Sequence, residues 1–266
     1  MPGERPLVSI VTPSLDQGRY IERAIESVLE QTYTQTEHVV VDGGSTDGTL
    51  DVLRRHEHLR WVSEPDRGQA HALNKGFTTA RGDILGWLNS DDYYLPNAVE
   101  EAVEALRVSG AAVVYADVER VDDDDRNPRR IRSRPSFDLW TELNFGCGIY
   151  SPSVFFTRAA LDAVGGLDES LQYVMDYDLW LRIGRLLPVH HVDAVWAVHR
   201  LHDAAKSVAE HDRFWPERLA VSRRHGGRLL SPLLVRRYVR QRHLQRLVTR
   251  SVSLPYALSG RRAASR

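Results

Sequence analysis

One cysteine in 266 residues, Cys147, excludes an intramolecular disulfide and fits a reducing compartment. No apolar run approaches the roughly 18 residues that a membrane span needs. Residues 1–6 carry no apolar signal stretch, so neither a spanning helix nor export is expected. Lysine is almost missing: Lys75 and Lys206 are the only two among 35 basic residues. Acid is missing from one end. Beyond Glu217 there are 13 arginines and no carboxylate side chain, whereas residues 1–217 hold 22 basic against 36 acidic groups. Such a split points to a separate partner for the tail, either an anionic membrane surface or acidic groups of the body or of a second copy in a homodimer. The expected location is the cytoplasm, with peripheral attachment at the inner face of the membrane as the alternative to a tail that docks on protein. No nucleic-acid partner is expected.

What is present is ordinary globular material, 42% hydrophobic and 27% charged, in a chain long enough to bury a core without metal or disulfide staples. The first half alternates apolar β-rich runs with amphipathic stretches: strands near 7–11, 38–41, 59–62, 83–88 and 112–118, with helices over 20–29, around 50–53, and over 69–79 and 97–108. Pro96 is expected in the first turn of the last of these. This alternation predicts a parallel sheet with helices on both faces, whose ligands bind outside the carboxyl ends of the strands. The polar clusters fall in those places: 12–16, 42–48, 64–69 and 89–92. The run Asp122 to Asp125, followed by Arg126 to Arg130, reads as a solvated loop or hairpin tip, because four consecutive carboxylates cannot all point one way.

Asn89-Ser90-Asp91-Asp92 follows an apolar strand directly. Hard divalent cations take carboxylate oxygens and share the rest of their shell with substrate phosphates, a role this position suits; helix capping is the simpler reading of the same residues. The turn from Asp42 to Gly48 is not a phosphate loop by spelling. Its glycines permit close backbone approach, and Asp42 is placed to accept hydrogen bonds from a base or ribose. Asp176 stands just before or within the first turn of an amphipathic helix, as a cap or as a general base. His202 and Lys206, four apart after an apolar strand over 192–198, suggest a metal or diphosphate contact.

Taken together these segments resemble the family 2 glycosyltransferases, which have the GT-A fold. The carriers are Val11-Thr12-Pro13-Ser14, the run Val40 to Thr49, Ser63 to Gln69, Ala72-Leu73-Asn74-Lys75-Gly76, Trp87 to Asp92, and Asp176 to Arg182, within residues 7–208. The resemblance implies an α/β fold: a Rossmann-like mixed sheet flanked by helices, with a basic helical C-terminal extension. Residues 1–217 would form the catalytic domain, 7–118 its nucleotide-sugar half and 119–217 its acceptor half, with 218–266 as the extension. It also implies that Thr12, Pro13, Ser14 and Asp42 line the nucleotide pocket, that Arg67, Gln69 and Lys75 contact base or diphosphate, and that Asn89 and Ser90 belong to the donor site. Asp91 matches the metal-binding aspartate of the D-x-D signature, with Asp92 a weaker candidate, and Asn89 replaces the usual first aspartate. Asp176 matches the aspartate of the E-D motif, where Met175 stands in place of the acid. His202 matches a histidine that helps to hold metal and diphosphate.

The implied reaction moves a sugar from a UDP-, GDP- or dTDP-linked donor to a sugar or lipid-linked glycan, with Mg²⁺ or Mn²⁺ at Asp91 and Asp176 as base. It would proceed with inversion, in polysaccharide or glycan biosynthesis. Acceptor contacts are expected from 137–175, including Trp140, Phe145, Cys147, Tyr150 and Tyr173. Two alternatives share the donor site: a non-catalytic nucleotide-sugar-binding module, which would not need Asp176, and a sugar-nucleotide pyrophosphorylase, which would need a basic glycine-rich loop where Thr12-Pro13-Ser14 stands.

Overall fold

Period-two alternation builds the first strand, β1 (Val8–Ser14). Val8 and Ile10 pack on one face with Ala24 and Val28, whereas Val11 packs on the other with Leu73 and Phe77. The computed structural model describes residues 5–203, 205, 206, 211–228 and 232. After β1 come α1 (Ile21–Leu29), β2 (Thr36–Asp42), α2 (Thr49–Arg55), β3 (Arg60–Ser63), α3 (Gln69–Thr79), β4 (Ile84–Trp87), β5 (Tyr93–Tyr94) and α4 (Ala98–Ser109). The second half contains β6 (Val113–Val121), β7 (Arg129–Ile131), α5 (Leu139–Phe145), a 3-10 turn (Ser151–Ser153), β8 (Val154–Thr157), α6 (Arg158–Val164), α7 (Met175–Leu186), β9 (Val189–Arg200) and α8 (His211–Arg224). Pro96 lies one residue before the N-cap of α4, Asn97, rather than within its first turn.

The sheet order is β3-β2-β1-β4-β8-β6-β9-β5, with β7 pairing β6. Its first four strands are parallel, as the alternation predicts. The expectation of an all-parallel sheet fails beyond them. β8, a four-residue strand, inserts antiparallel between β4 and β6, and β5 pairs antiparallel with β9. The result is the mixed sheet of the resemblance. Helices α3, α5, α6 and α7 contribute to the core on one face, and α1, α2 and α4 to that on the other. Glycine at 76 allows the closest of these approaches, since a Cβ there would lie 2.3 Å from Val11 Cγ1.

The acidic run forms the tip of the β6–β7 hairpin and is only partly solvated. Asp122 closes the turn on the amides of Asp124 and Arg126, while Asp123 and Asp125 point back to the body. Tyr20 donates to Asp123 at 2.7 Å, and Arg200 donates to both oxygens of Asp125 at 2.8 Å. The charge transition at residue 217 is not an element boundary, because α8 runs through it. From this extension Arg224 pairs with Asp168 at 2.5 Å and His225 with Asp178 at 2.8 Å, so its beginning docks on the body's own acids. Beyond residue 228 the expected helical extension lies outside the described residues save for position 232.

His38 on β2 is buried with Nε2 2.9 Å from Thr12 Oγ1, and burial lowers its pKa to about 3, helped by His58 and His56. The unfolded chain therefore binds this proton first, from a pKa of about 6.5. Stability is fully present above that value and is lost as the pH falls towards the folded value, at up to about 1.4 kcal/mol per pH unit. Between pH 6.5 and 5 most carboxylates remain ionised, so His38→Gln should flatten the loss measured by urea unfolding in that window. An unchanged slope in the variant would show that other groups set it.

Candidate active site

Three strand ends and one long strand bring the polar segments together. Asp42 closes β2 with its carboxylate entirely buried; it accepts from the amides of Gly44 and Ser45 at 3.1 and 2.9 Å and from Ser63 at 2.7 Å. It therefore shapes the 42–48 turn. β1 runs three residues further than its apolar core suggests, which puts Thr12, Pro13 and Ser14 within the strand. Thr12 is inside the sheet against His38, and the carbonyls of Pro13 and Ser14 accept from Ser90 Oγ and from the Gly43 amide. Ser90 thus pins the segment after β4 to the end of β1.

Asn89 is a junction. Its Oδ1 accepts from Gln69 Nε2 at 2.9 Å and from the Trp87 indole at 2.8 Å, and its Nδ2 donates to Asp92 at 3.2 Å. A carboxylate could not donate to Asp92 and would add a third negative charge beside Asp91 and Asp92, which gives a physical reason for the amide at this position. Asp92 is buried, with one oxygen occupied by Asn89 and the other by the His199 ring at 3.0 Å and the Arg200 amide at 3.1 Å. Burial pushes the Asp92 carboxyl up; burial alone would lower His199, yet the field of Asp92 outweighs it and holds that imidazole above its usual value. Asp92 is a support, with no oxygen facing outward for a metal.

Asp91 is the open member. Its side chain is 22% exposed, and its hydrogen-bond partner among the described residues is His202, whose Nε2 lies 3.1 Å from Oδ2 across 111 positions of sequence. His202 follows β9 and packs against the Tyr20 ring at 4.5 Å, and its buried Nδ1 has no partner among the described residues. Asp91 and His202 together form a carboxylate–imidazole pair open on one side. Lys206 is exposed. Arg67 and Lys75 reach Glu169 at 2.5 Å and Glu64 at 2.7 Å on the surface, where a bound diphosphate would compete for them.

Asp176 lies in the first turn of α7, one residue past Met175. One oxygen accepts from Ser151 Oγ at 2.8 Å and the other from the Tyr177 amide at 2.7 Å. Burial pushes its carboxyl up, opposed by Ser151, the Tyr177 amide and Arg218. The helix is not capped by its own N-cap, Val174. Glu217 of α8 holds the approach to the helix instead, accepting from the amides of Gln172, Tyr173 and Val174 at 2.8, 2.6 and 3.0 Å. Of the expected acceptor residues, Trp140 and Phe145 are half exposed with rings 5.8 Å apart, Cys147 donates to the Ile149 carbonyl, and the Tyr173 ring meets that of Phe214 at a tilt, 5.0 Å between centres. Tyr150 packs half-buried against the α1–α4 core. Sequence reading missed Tyr20, Ser151, Glu217 and Arg218. A serine ahead of a strand or an acid in the last amphipathic helix carries no local signal for these contacts.

The sequence profile described as glycosyl transferase family 2 matches residues 9–165. The chain belongs to this family. An uncharacterized glycosyltransferase of Rickettsia typhi is 32% identical over 212 residues, which cover 75% of this chain and 65% of the relative. A chondroitin synthase of Escherichia coli is 30% identical over 213 residues, covering 78% of this chain and 31% of the relative. The chain thus spans less than two thirds of either curated relative. Among solved structures, S. aureus TarS 1-349 in complex with UDP-GlcNAc superposes with a TM-score of 0.66 at 18% identity, over 81% of this chain and 66% of TarS. The mannosyltransferase PcManGT from Pyrobaculum calidifontis, in complex with GDP-Man and Mn²⁺, gives 0.60 at 20% identity, over 96% and 83%. At these identities the two structures establish the fold, that of the GT-A glycosyltransferases. Among the described residues no helix of this family 2 chain is long and apolar enough to cross a membrane.

Proposed function

We propose that the chain transfers a sugar from a nucleoside-diphosphate sugar to an acceptor hydroxyl, with inversion at the anomeric carbon. The observation that carries this reading is the Asp91–His202 pair at 3.1 Å, separate from a second, half-buried carboxylate, Asp176. Among the described residues no three His, Cys, Asp or Glu side chains are grouped to cage a metal. Two ligands with an open side fit Mg²⁺ or Mn²⁺, which keeps waters and substrate phosphates in its shell. Asp91 and His202 would hold that ion, which supplies positive charge against the diphosphate leaving group.

The chain's own residues do the rest. In this reading the 42–48 turn and the 12–14 backbone bound the base and ribose, and Arg67, Gln69 and Lys75 supply base or diphosphate contacts. Asp176 accepts the proton of the attacking hydroxyl, and its raised pKa makes it a stronger base than an exposed aspartate. In-line attack needs no enzyme nucleophile. The family relationship to a chondroitin synthase and the fold shared with complexes of UDP-GlcNAc and GDP-Man support a hexosyl donor and a glycan acceptor. For the basic extension, the ion pairs of Arg224 and His225 favour docking on the body over membrane attachment.

Thermal unfolding with UDP-, GDP- and dTDP-sugars, each with and without Mn²⁺, tests the reading. One base class should stabilise the protein, far more with metal than without, by about 2.7 kcal/mol at a hundredfold excess over the Kd of the metal-loaded state. That donor should then lose its nucleoside diphosphate when hydroxyl acceptors are added. Stabilisation without turnover over a broad acceptor panel would favour the binding module; no stabilisation by any donor with Mn²⁺ would overturn the proposal.

A further inference from the structure

We propose that Arg218, on α8 and beyond the segment matched by the family profile, is the counter-charge that keeps the half-buried Asp176 carboxylate ionised. The proposal rests on Asp176 as the base, because only an ionised carboxylate can accept the acceptor's proton. Asp176 is held by two neutral donors, the Ser151 hydroxyl and the Tyr177 amide. In a seat partly withdrawn from water such donors alone leave a carboxyl more prone to keep its own proton, and burial does push this one up.

The elements packed around it offer few charges. From α5 comes Glu142, buried and itself negative, matched by Arg134 at 2.6 Å and by the Gly148 amide at 2.8 Å. From the loop after α5 comes Cys147, whose thiol burial pushes up and so keeps neutral. On α7 itself the Tyr177 phenol donates to the Glu142 carbonyl at 2.9 Å and is likewise kept neutral by burial. On α8, Glu217 is occupied by three backbone amides. Arg134 being engaged by Glu142, the remaining cation acting on Asp176 among the described residues is Arg218.

Arg218 is placed rather than tethered. Its guanidinium carbon lies 5.7 Å from the Tyr177 ring centre and 5.9 Å from that of Trp215, and its Nε is buried without a hydrogen-bond partner. α8 is fixed against the base helix by Glu217 at one point and against α5 by Ser222 Oγ, which donates to the Leu143 carbonyl at 2.7 Å. The cation therefore acts across space on Asp176 and takes up neither of the hydrogen bonds of the carboxylate; the same field opposes the rise that burial imposes on Glu142. A positive charge that does not bond the carboxylate favours ionisation while leaving its oxygens to the acceptor hydroxyl. A bidentate arginine would instead cover them.

Cys147 is the sole cysteine and feels the charge on Asp176, so ¹³Cβ-cysteine labelling gives one resonance whose pH titration reports that carboxyl without any substrate. Asp176→Asn should abolish the inflection and thereby assign it. Arg218→Met should move it up by about one pH unit, within the range an opposite charge at close quarters produces. Arg218→Lys should leave it near the wild-type value. The acid limb of the pH–rate profile should move by the same amount in the Met variant. An inflection unmoved in a folded Arg218→Met protein would overturn the proposal. So would loss of folding in both Arg218→Met and Arg218→Lys, which would make the residue a structural pillar. If the inflection moves but Asp176→Asn keeps its turnover, the charge relation stands and the base assignment fails.

Discussion

Asp176→Asn is expected to lower turnover by at least about 10²-fold while the affinity for donor and metal changes by less than about twofold. The amide cannot accept a proton, so the loss should fall on kcat. Its seat is otherwise preserved: the amide oxygen can still accept from the Tyr177 backbone, and the Ser151 hydroxyl can turn to accept from the new NH₂ group. Replacing a partly buried ionisable group by a neutral one of the same shape also removes a desolvation cost, so the melting temperature should not fall. Steady-state kinetics with the donor found by thermal shift, alongside calorimetry of nucleoside diphosphate with Mn²⁺, measures both halves. Turnover near wild type would leave Asp176 as a helix-entry residue only. Loss of donor affinity equal to the loss of turnover would place it in the donor site instead.

The parts of the fold legible in the sequence are those where one strand or helix decides its own pattern. The helix over 69–79 matches α3 residue for residue, because Gly68 opens it and apolar positions at 70, 72, 73, 76 and 77 mark its inner face. The strand–helix alternation of the first half gives the four parallel strands. What failed depends on distant pairing. β8 has only four residues, and its place between β4 and β6 is set by ladders to segments about 40 and 70 positions away, which no local period encodes. β9 extends to Val189 because half of its length faces β6 around a bulge at Asp117, so its first residues are neither evenly apolar nor evenly spaced. The acidic hairpin tip reads as solvent-facing until Arg200 and Tyr20 are known to lie beneath it.

The candidate site shows the same division. Asp91, His202, Asp42 and Asp176 were legible as residue types at strand ends and helix starts. Their supports were not. Asn89 reads as a departure from a signature, whereas its three side-chain hydrogen bonds explain why an amide belongs there. The entry to the base helix is held by Glu217, 43 positions further on, in a helix that composition alone assigns to the edge of a basic extension.

Asp91→Ala should abolish the part of donor binding that depends on metal and leave the weaker, metal-free part unchanged. Asp91 is the exposed carboxylate of the pair, and the neighbouring acid, Asp92, is buried with both of its oxygens occupied. Calorimetry of the cognate nucleoside diphosphate should therefore show a large gain in affinity on adding Mn²⁺ to the wild-type protein and none for the variant. Alanine also strips the partner from His202 Nε2, and an unpaired polar atom in a partly buried position costs about 1–3 kcal/mol of stability. Asp91→Asn separates the two effects, since the amide oxygen can still meet the ring and yet offers the ion no charge. The Asn variant should melt like wild type and still lose the response to Mn²⁺. His202→Ala should lose part of that response, and in an Asp91→Ala background it should lose nothing more, because both residues would act through one ion. Equal Mn²⁺ enhancement in wild type and Asp91→Asn would mean that the diphosphate carries its metal without this carboxylate, and the Asp91–His202 pair would then be a structural clasp between β4 and β9.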